Sequence, residues 1–363
     1  MLVGHSRTAQ EDPMEKKDLD WANLTFSYQP TDASYVCNYA DGAWDEGGLT
    51  PDHTVTLSEC AGILHYCQEC FEGLKAYTCE DGSIVCFRPD LNAKRMADSA
   101  ERLVMPPFPE DKFVDAVKQV VAANAAWVPP FGSGATLYVR PMMFATGEVI
   151  GVKPADKYQF RILVTPVGPY FKGGAKPITI CVSDYDRAAP HGTGNIKAGL
   201  NYAMSLYPYE KAHEAGFSEN LYLDAGTRTY VEETGGANVL FVDKDGRLVV
   251  PISATDSILP SITRRSLVAV AKDILGLEVV ERPVRFDEVG DFVECGLCGT
   301  AAVISPVGKI VAGDHEVVFE DGKDEIGPVM GKLRETLTGI QAGTIPAPEG
   351  WIVKVCDAEG KPA

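Results

Sequence analysis

Residues 191–203 read H-G-T-G-N-I-K-A-G-L-N-Y-A, and the rest of the chain is organised around this stretch. Three glycines, Gly192, Gly194 and Gly199, frame a single lysine, Lys197, in a run without other Lys, Arg, Asp or Glu. A primary amine works as a nucleophile near neutral pH only where burial or a nearby cation lowers its pKa, and small flanking residues let a flat ligand approach the backbone. Tyr202 follows five residues on, where its phenol can donate to an oxygen on a ring held at Lys197. A flexible glycine loop with an incidental lysine fits the same letters, so the motif needs company before it carries chemistry.

Working outward, 178–182 reads as a strand feeding the loop, and a helix leaves it, ending near Gly216 and kinked or started late by Pro208. Short alternating runs at 221–223, 229–233, 237–242 and 248–250 then form an antiparallel meander, with Asp224-Ala225-Gly226 and 243–246 as turns. A helix is expected over 261–275, followed by a mixed segment. Upstream, 167–177 (V-G-P-Y-F-K-G-G-A-K-P) is dense in Gly and Pro and reads as an interdomain connection. Before it, 34–39, 55–57, 63–77 and 83–87 read as β-rich runs separated by Asp41-Gly42 and Asp81-Gly82 turns. Asp90 is a plausible N-cap for a helix burying Met96, Ala100, Leu103 and Val104, with Arg95 at the edge of that stripe. A second helix, 111–127, turns Phe113, Val114, Val117, Val120 and Val121 to one face and stops at Pro129-Pro130; strands 135–144 and 158–164 follow. The expected organisation is α+β with mixed or antiparallel sheets: a polar arm over 1–33, a small N-terminal α/β domain over 34–166, a linker over 167–177 and a larger C-terminal domain over 178–363.

With 363 residues and 45% apolar content, the chain suffices for two cores. A formal charge of -18 argues against nucleic acid or an anionic membrane as partner, because such binding draws on clustered Lys and Arg. It also means that an anionic substrate needs local cations against a repulsive background; Arg95, Arg140, Lys197 and Arg264 are the candidates. The N-terminal residues hold no apolar core of signal-peptide length, and no run approaches the roughly 20 apolar residues of a membrane span, so a cytoplasmic protein is expected. Ten scattered cysteines suit reduced, packed thiols. Cys67 and Cys70 beside His65, and Cys295 and Cys298 far downstream, are too distant in sequence to read as a compact zinc module, and no metal is expected.

A Schiff-base cofactor such as pyridoxal phosphate demands a lysine, an acid for the ring nitrogen, a phosphate cup and a carboxylate site. Glu232 and Glu233 end a predicted strand, where alternation lets only one face the site. I-L-P-S-I-T-R-R-S-L (258–267) offers a turn into a helix start, a ready anion site, to which Arg95 adds a charged contact. G-T-A-A (299–302) is a second small-residue turn. In L-Y-V-R-P, Tyr138 and Arg140 share one strand face, an arrangement that calls for an anion or an acid opposite.

Taken together, F-E-G-L-K-A-Y (71–77), L-Y-V-R-P, P-V-G-P-Y-F, G-x-x-K-A-G-x-N-Y-A, E-x-G-G-x-N, I-L-P-S-I-T-R, G-T-A-A-V-I-x-P-V and L-T-G-I-Q-x-G closely resemble the branched-chain amino acid aminotransferases, in the same order, over about 34–351. The resemblance implies the two-domain fold type IV architecture, pyridoxal 5'-phosphate and a homodimer. It makes Lys197 the Schiff-base lysine, Tyr202 the phenol by the ring hydroxyl and Glu233 the acid for the ring nitrogen. It places Arg95, Ile262, Thr263 and Thr300 around the phosphate, with Ile262 and Thr263 acting through backbone N–H. Phe71, Tyr66, Tyr138, Arg140, Tyr170, Thr300 and Ala301 correspond to substrate contacts.

Two departures stand out. Ala302 and Ser305 occupy the places of a redox C-x-x-C found in some members, so no thiol switch is expected there, and Cys295 and Cys298 lie upstream of it. Gly236 replaces a threonine found in others. The implied reaction moves an amino group between L-leucine, L-isoleucine or L-valine and 2-oxoglutarate. A D-amino-acid aminotransferase or aminodeoxychorismate lyase of the same fold is the alternative, and a non-catalytic thiol or zinc protein a remote one.

Overall fold

The computed structural model describes residues 15–169 and 175–363. In the first half lie β1 (Ser34–Ala40), β2 (Ala43–Trp44), β3 (Gly48–Thr50), α1 (Gly62–Tyr66), β4 (Glu69–Phe71), β5 (Leu74–Thr78), β6 (Ile84–Phe87), α2 (Pro89–Arg102), α3 (Glu110–Ala123), β7 (Thr136–Ala145) and β8 (Tyr158–Val167). The second half holds β9 (Ile178–Val182), α4 (Gly199–Glu214), β10 (Glu219–Leu223), β11 (Val231–Thr234), β12 (Asn238–Val242), β13 (Leu248–Pro251), α5 (Ile262–Ala269), β14 (Val279–Arg282), β15 (Glu294–Gly299), β16 (Val303–Ala312), β17 (His315–Val318), α6 (Pro328–Gln341) and β18 (Ile352–Cys356).

The strands of the first half form an antiparallel sheet whose central pair, β7 and β8, runs in register from Thr136↔Val167 to Ala145↔Tyr158. Helices α2 and α3 cover it, and their stripes of Met96, Ala100, Phe113, Val117, Val120 and Val121 are buried against Phe160 and Ile162 of β8. Phe108 stacks on Phe160 at 3.9 Å between ring centroids. The second sheet is mixed and closes on itself: β11 pairs β10, β10 pairs β9, β9 pairs β16, β16 pairs β15, β15 pairs β12, and β12 returns to β11. Closure removes the edges that an open sheet would expose. The β11–β12 pairing that completes the ring has Glu233 opposite Asn238, so the closing hairpin also carries chemistry-bearing side chains.

Several expectations about elements give way. The stretch 63–77 is not one β-rich run: Cys67, at φ 49°, ends the short α1, and β4 and β5 flank Gly73. No strand forms over 55–57, and α2 starts at Pro89 after a left-handed Arg88 rather than at an Asp90 cap. Helix α4 runs through Pro208 without stopping. The end of the segment 178–363 returns to the first sheet, where β18 pairs with β6 (Ile352↔Phe87). Alternation in W-I-V-K-V-C marks a strand, but only the unpaired edge of β6 decides which sheet takes it. In the described part of the arm, 15–33, Lys17 N–H donates to the Ala126 carbonyl at 3.0 Å, and Phe26 packs edge-on against the Tyr138 ring at 4.9 Å. Of the expected linker, 170–174 lie outside the described residues.

Candidate active site

The Lys197 loop is tied down from several sides. Asn201, on the first turn of α4, donates to the carbonyls of Thr193 (2.7 Å) and Ile196 (3.0 Å) and accepts from the Thr193 hydroxyl (2.8 Å). At Gly194 the chain passes so close to the Ser257 carbonyl that a Cβ would collide with it, which explains one of the framing glycines. Lys197 itself is held by its backbone, its N–H donating to Ser99 Oγ of α2 and its carbonyl accepting from Phe71 N–H of β4, both at 3.0 Å. The amine is thus aimed by contacts from the other sheet. Its Nζ donates to Tyr202 Oη at 2.6 Å and stands 4.6 Å from the Phe71 ring centroid. Among the described residues no carboxylate lies within ion-pair distance of it.

Facing the lysine is a cleft lined by Arg95, Arg187, Lys197, Tyr202, Glu233 and Asn238, with Ser261, Ile262 and Thr300 at its far end. Glu233 is buried. Its Oε1 meets Arg187 Nη2 at 2.6 Å and accepts from Leu259 N–H at 2.7 Å, while Oε2 accepts from Asn238 Nδ2 at 2.6 Å. Burial pushes its pKa up, opposed by Arg187 and the Leu259 N–H. Glu232, its neighbour, is bonded instead to the Ser257 hydroxyl and does not line the cleft, so alternation along β11 separates the two acids.

Helix α5 begins at this cleft. Ser261 caps it by accepting the Arg264 N–H at 3.1 Å, which leaves the N–H groups of Ile262 and Thr263 for an anion, since the first turn of a helix has no internal acceptors. Arg95 lies beside them but is already engaged. Its Nε and Nη2 grip Glu72 at 2.7 and 2.8 Å, and Nη1 donates to the Pro260 carbonyl at 3.2 Å. Its net charge at the cleft is therefore largely compensated. Arg264, also a candidate cation, does not line the cleft.

The substrate candidates divide. Phe71, Tyr138 and Arg140 form a wall next to the lysine: the Arg140 guanidinium lies 4.7 Å from the Phe71 ring and donates to Tyr138 Oη at 3.0 Å, and Phe71 packs on Tyr202 at 5.0 Å. Thr300 and Ala301 sit in the turn between β15 and β16, anchored to β5 and its flank: Thr300 Oγ1 donates to the Gly73 carbonyl at 3.2 Å and Lys75 Nζ to the Ala301 carbonyl at 2.7 Å. Tyr66 stands apart, exposed on α1, its hydroxyl bonded to the Ile150 carbonyl and its ring outside the cleft of its own chain. Tyr170 lies outside the described residues. Arg187, Glu69 and Ser99 are the participants that sequence reasoning did not single out. Arg187 shares the loop's neighbourhood in R-A-A-P-H-G, but nothing in the letters announces an ion pair to an acid 46 positions on.

Fold and cleft together define an aminotransferase of fold type IV, with the lysine loop clamped between an antiparallel sheet and a closed barrel. The chain belongs to the amino-transferase class IV family, which matches residues 69–310. It is similar to a branched-chain-amino-acid aminotransferase of Haemophilus influenzae, 53% identical over 344 residues, covering 93% of this chain and 99% of that one. Among solved structures it is similar to the Escherichia coli branched-chain amino acid aminotransferase (TM-score 0.75, 28% identity, 90% of this chain and 99% of that one). A second is the branched-chain amino acid aminotransferase of Thermobaculum terrenum in its PLP form (TM-score 0.74, 26% identity, 90% and 99%).

Proposed function

We propose that this chain transfers the amino group of L-leucine, L-isoleucine or L-valine to 2-oxoglutarate, giving branched-chain 2-oxo acids and L-glutamate, with pyridoxal 5'-phosphate as cofactor. The observation that carries the reading is the Lys197 amine, 2.6 Å from the Tyr202 phenol at a cleft whose opposite wall is a buried carboxylate. The 53% identical relative supports it over a D-amino-acid aminotransferase or aminodeoxychorismate lyase of the same fold.

The residues present fit pyridoxal phosphate. Asn238 Oδ1 is buried at the cleft without a hydrogen-bond partner among the described residues, and nothing lies within 4 Å of where a Cβ at Gly236 would stand. There is thus room and unmet polarity where a planar group would sit. When bound, the cofactor supplies an electron sink for the bond broken at the substrate Cα. Lys197 Nζ would hold it and, freed by the incoming amine, would carry the proton from the substrate Cα to the cofactor, acting first as base and then as acid. Tyr202 orients that amine. Glu233, held by Arg187 and Asn238, would pair with the ring nitrogen and stabilise positive charge there. Ile262 and Thr263 N–H, the Thr300 turn and Arg95 hold the phosphate. Phe71, Tyr138 and Arg140 line the side-chain pocket beside the Ala301 turn.

A homodimer accounts for the apolar surface shared by α1 and the loop after β7, where Leu64, Ile150 and Val152 are 58%, 74% and 90% exposed beside Tyr66. Met204, Leu206 and Tyr207 of α4 form a second such patch. A cytoplasmic location agrees with ten free thiols; among the described residues no helix is long and apolar enough to cross a membrane. The test is a steady-state scan of amino donors with 2-oxoglutarate as acceptor. L-Leucine, L-isoleucine and L-valine are expected to exceed D-alanine in kcat/KM by about 100-fold or more, a difference of about 2.7 kcal/mol. D-Alanine as the better donor, or an acceptor-independent lyase reaction, replaces this reading.

A further inference from the structure

Helix α4 starts at Gly199, two residues after Lys197, and carries Tyr202. Its N-cap, Ala198, has no side chain able to accept an N–H from the first turn. Gly199 is not in the left-handed region, so its backbone conformation does not require glycine. What stands beside its Cα is a carboxylate from the other sheet. Glu69 of β4 accepts the Gly199 N–H through Oε1, and a Cβ at position 199 would run into that oxygen. Glu69 and Phe71 share a face of β4 by two-residue spacing. Phe71 accordingly reaches the same loop, with its N–H on the Lys197 carbonyl and its ring under the Lys197 amine.

Of the contacts that fix the loop from the first sheet and α2, those from Ser99 and Phe71 are neutral and two are charged: Arg102 of α2 donates to the Gly192 carbonyl at 3.3 Å, at the far end of the loop from Lys197, and Glu69 accepts at the helix start beside it. A carboxylate at a helix N-terminus meets both an unsatisfied N–H and the positive end of the helix dipole. Arg140 and Lys197 are the cations whose fields it feels. Burial pushes its pKa up, while the Gly199 N–H and these two cations pull the other way.

We propose that Glu69 is a positioning residue for the reaction: it caps α4 from the opposite sheet and so sets the Lys197 amine and the Tyr202 phenol against Phe71. The inference rests on Lys197 being the cofactor lysine, which is checked separately by loss of the visible cofactor band in Lys197→Ala. Holoenzyme variants test the proposal itself. Glu69→Ala removes both cap and charge, and is expected to lower kcat about 10- to 100-fold in both half-reactions with KM changed less than about threefold, because misplacement of a reacting group by about 1 Å has that effect. Glu69→Gln keeps an oxygen for the Gly199 N–H and loses only the charge, so kcat falls less. In both variants the pH midpoint of the visible band shifts downward, as removal of a nearby negative charge requires, and a purely structural cap would leave that midpoint unmoved. Gly199→Ala is expected to impair the parent by more than tenfold and to add nothing in a Glu69→Ala background. Kinetics of Glu69→Ala within twofold of the parent, or an undiminished Gly199→Ala penalty without Glu69, overturns the proposal. Should Glu69→Ala not fold, the Glu69→Gln midpoint decides: a downward shift supports the proposal and an unmoved one overturns it.

Discussion

At the scale of single residues, Lys197 and Arg140 show how position decides what a cation does. Lys197 has a phenol and an aromatic face for company. Lys197→Ala is expected to abolish turnover and the visible band while leaving the melting temperature within a few degrees, read by absorbance and thermal denaturation with pyridoxal phosphate present. A borohydride-reducible band surviving in that variant moves the attachment to another lysine. Lys75, whose pKa burial and the nearby Arg334 pull down to about 8, is the alternative among the described residues, but its Nζ is occupied by the Ala301 carbonyl. Arg140 has no ion-pair partner within 4 Å among the described residues, and its Nε is buried without a hydrogen bond. Stacked between Phe71 and Tyr138, it is placed to meet the distal carboxylate of glutamate while the rings meet a branched side chain. Arg140→Met is expected to slow the glutamate half-reaction about 10- to 100-fold, the worth of about 1.5 to 3 kcal/mol of charged hydrogen bonding, and the leucine half-reaction far less. Single-turnover rates with each donor measure this, and an equal loss in both sinks the assignment.

At the scale of elements, the starts of α4 and α6 are completed by acids remote in sequence. Glu294 of β15, 1% exposed, accepts the N–H groups of Val329 (3.0 Å) and Met330 (2.8 Å) at the start of α6, whose N-cap is Gly327. Glu294→Ala strips both acceptors from a buried helix end and is expected to cost about 1 to 3 kcal/mol, several degrees in melting temperature, with kcat per folded molecule unchanged. The same strand carries Cys295 and Cys298, both buried. Burial pushes the Cys298 thiol up to about 12 and Cys295 well above its ordinary value, so neither supplies thiolate at pH 7. Mild peroxide is therefore expected to leave activity largely unchanged; reversible inactivation mapped to either cysteine by mass spectrometry contradicts this. Such couplings mark the limit of what the letters disclose. Alternation and turn residues made β1, β7, β9 and most of the meander legible, and the Lys197 and Tyr202 pair could be found because it is local. The Arg187–Glu233 pair, the Glu69 and Glu294 caps and the return of β18 to β6 join segments far apart in the chain, and no periodicity records which partner a side chain meets after folding. Glu69 sits inside a β-rich run that reads as packing alone, and its carboxylate has meaning only beside Gly199.

For the whole molecule, a charge of -18 and a sequence pI of about 4.8 coexist with carboxylates buried in the folded chain. Burial raises the pKa of Glu69, Glu219, Glu232, Glu233 and Glu294. A carboxyl whose folded pKa exceeds its unfolded one binds its proton more tightly when folded. Its stabilising contribution is complete below the unfolded value of about 4.3 and is lost as pH rises through the folded value. All five therefore weigh against the folded state at neutral pH and are relieved as the solution is acidified. Hydrogen bonds from Thr54, Ser83, Arg285 and Arg282 hold Asp52, Asp81, Asp287 and Glu288 below the ordinary carboxylate range, and for these the sign is opposite. Their contribution is present at neutral pH and disappears only as pH falls through their folded values, below the ordinary carboxylate range. The two windows do not overlap, and between pH 8 and about pH 5.5 the falling negative charge also weakens self-repulsion. The melting temperature of the cofactor-saturated protein is thus expected to rise by a few degrees between pH 8 and pH 5.5 at constant ionic strength. Raising salt to about 0.5 M should flatten the part due to surface repulsion and leave the part due to burial, because only exposed charges are well screened. Glu219, half-buried on β10 and outside the cleft, isolates the second part: Glu219→Gln should reduce the high-salt slope, since a neutral amide has no proton to gain. A melting temperature that falls steadily from pH 8 to pH 5.5 would show that the ion pairs, and not the buried acids, set the balance.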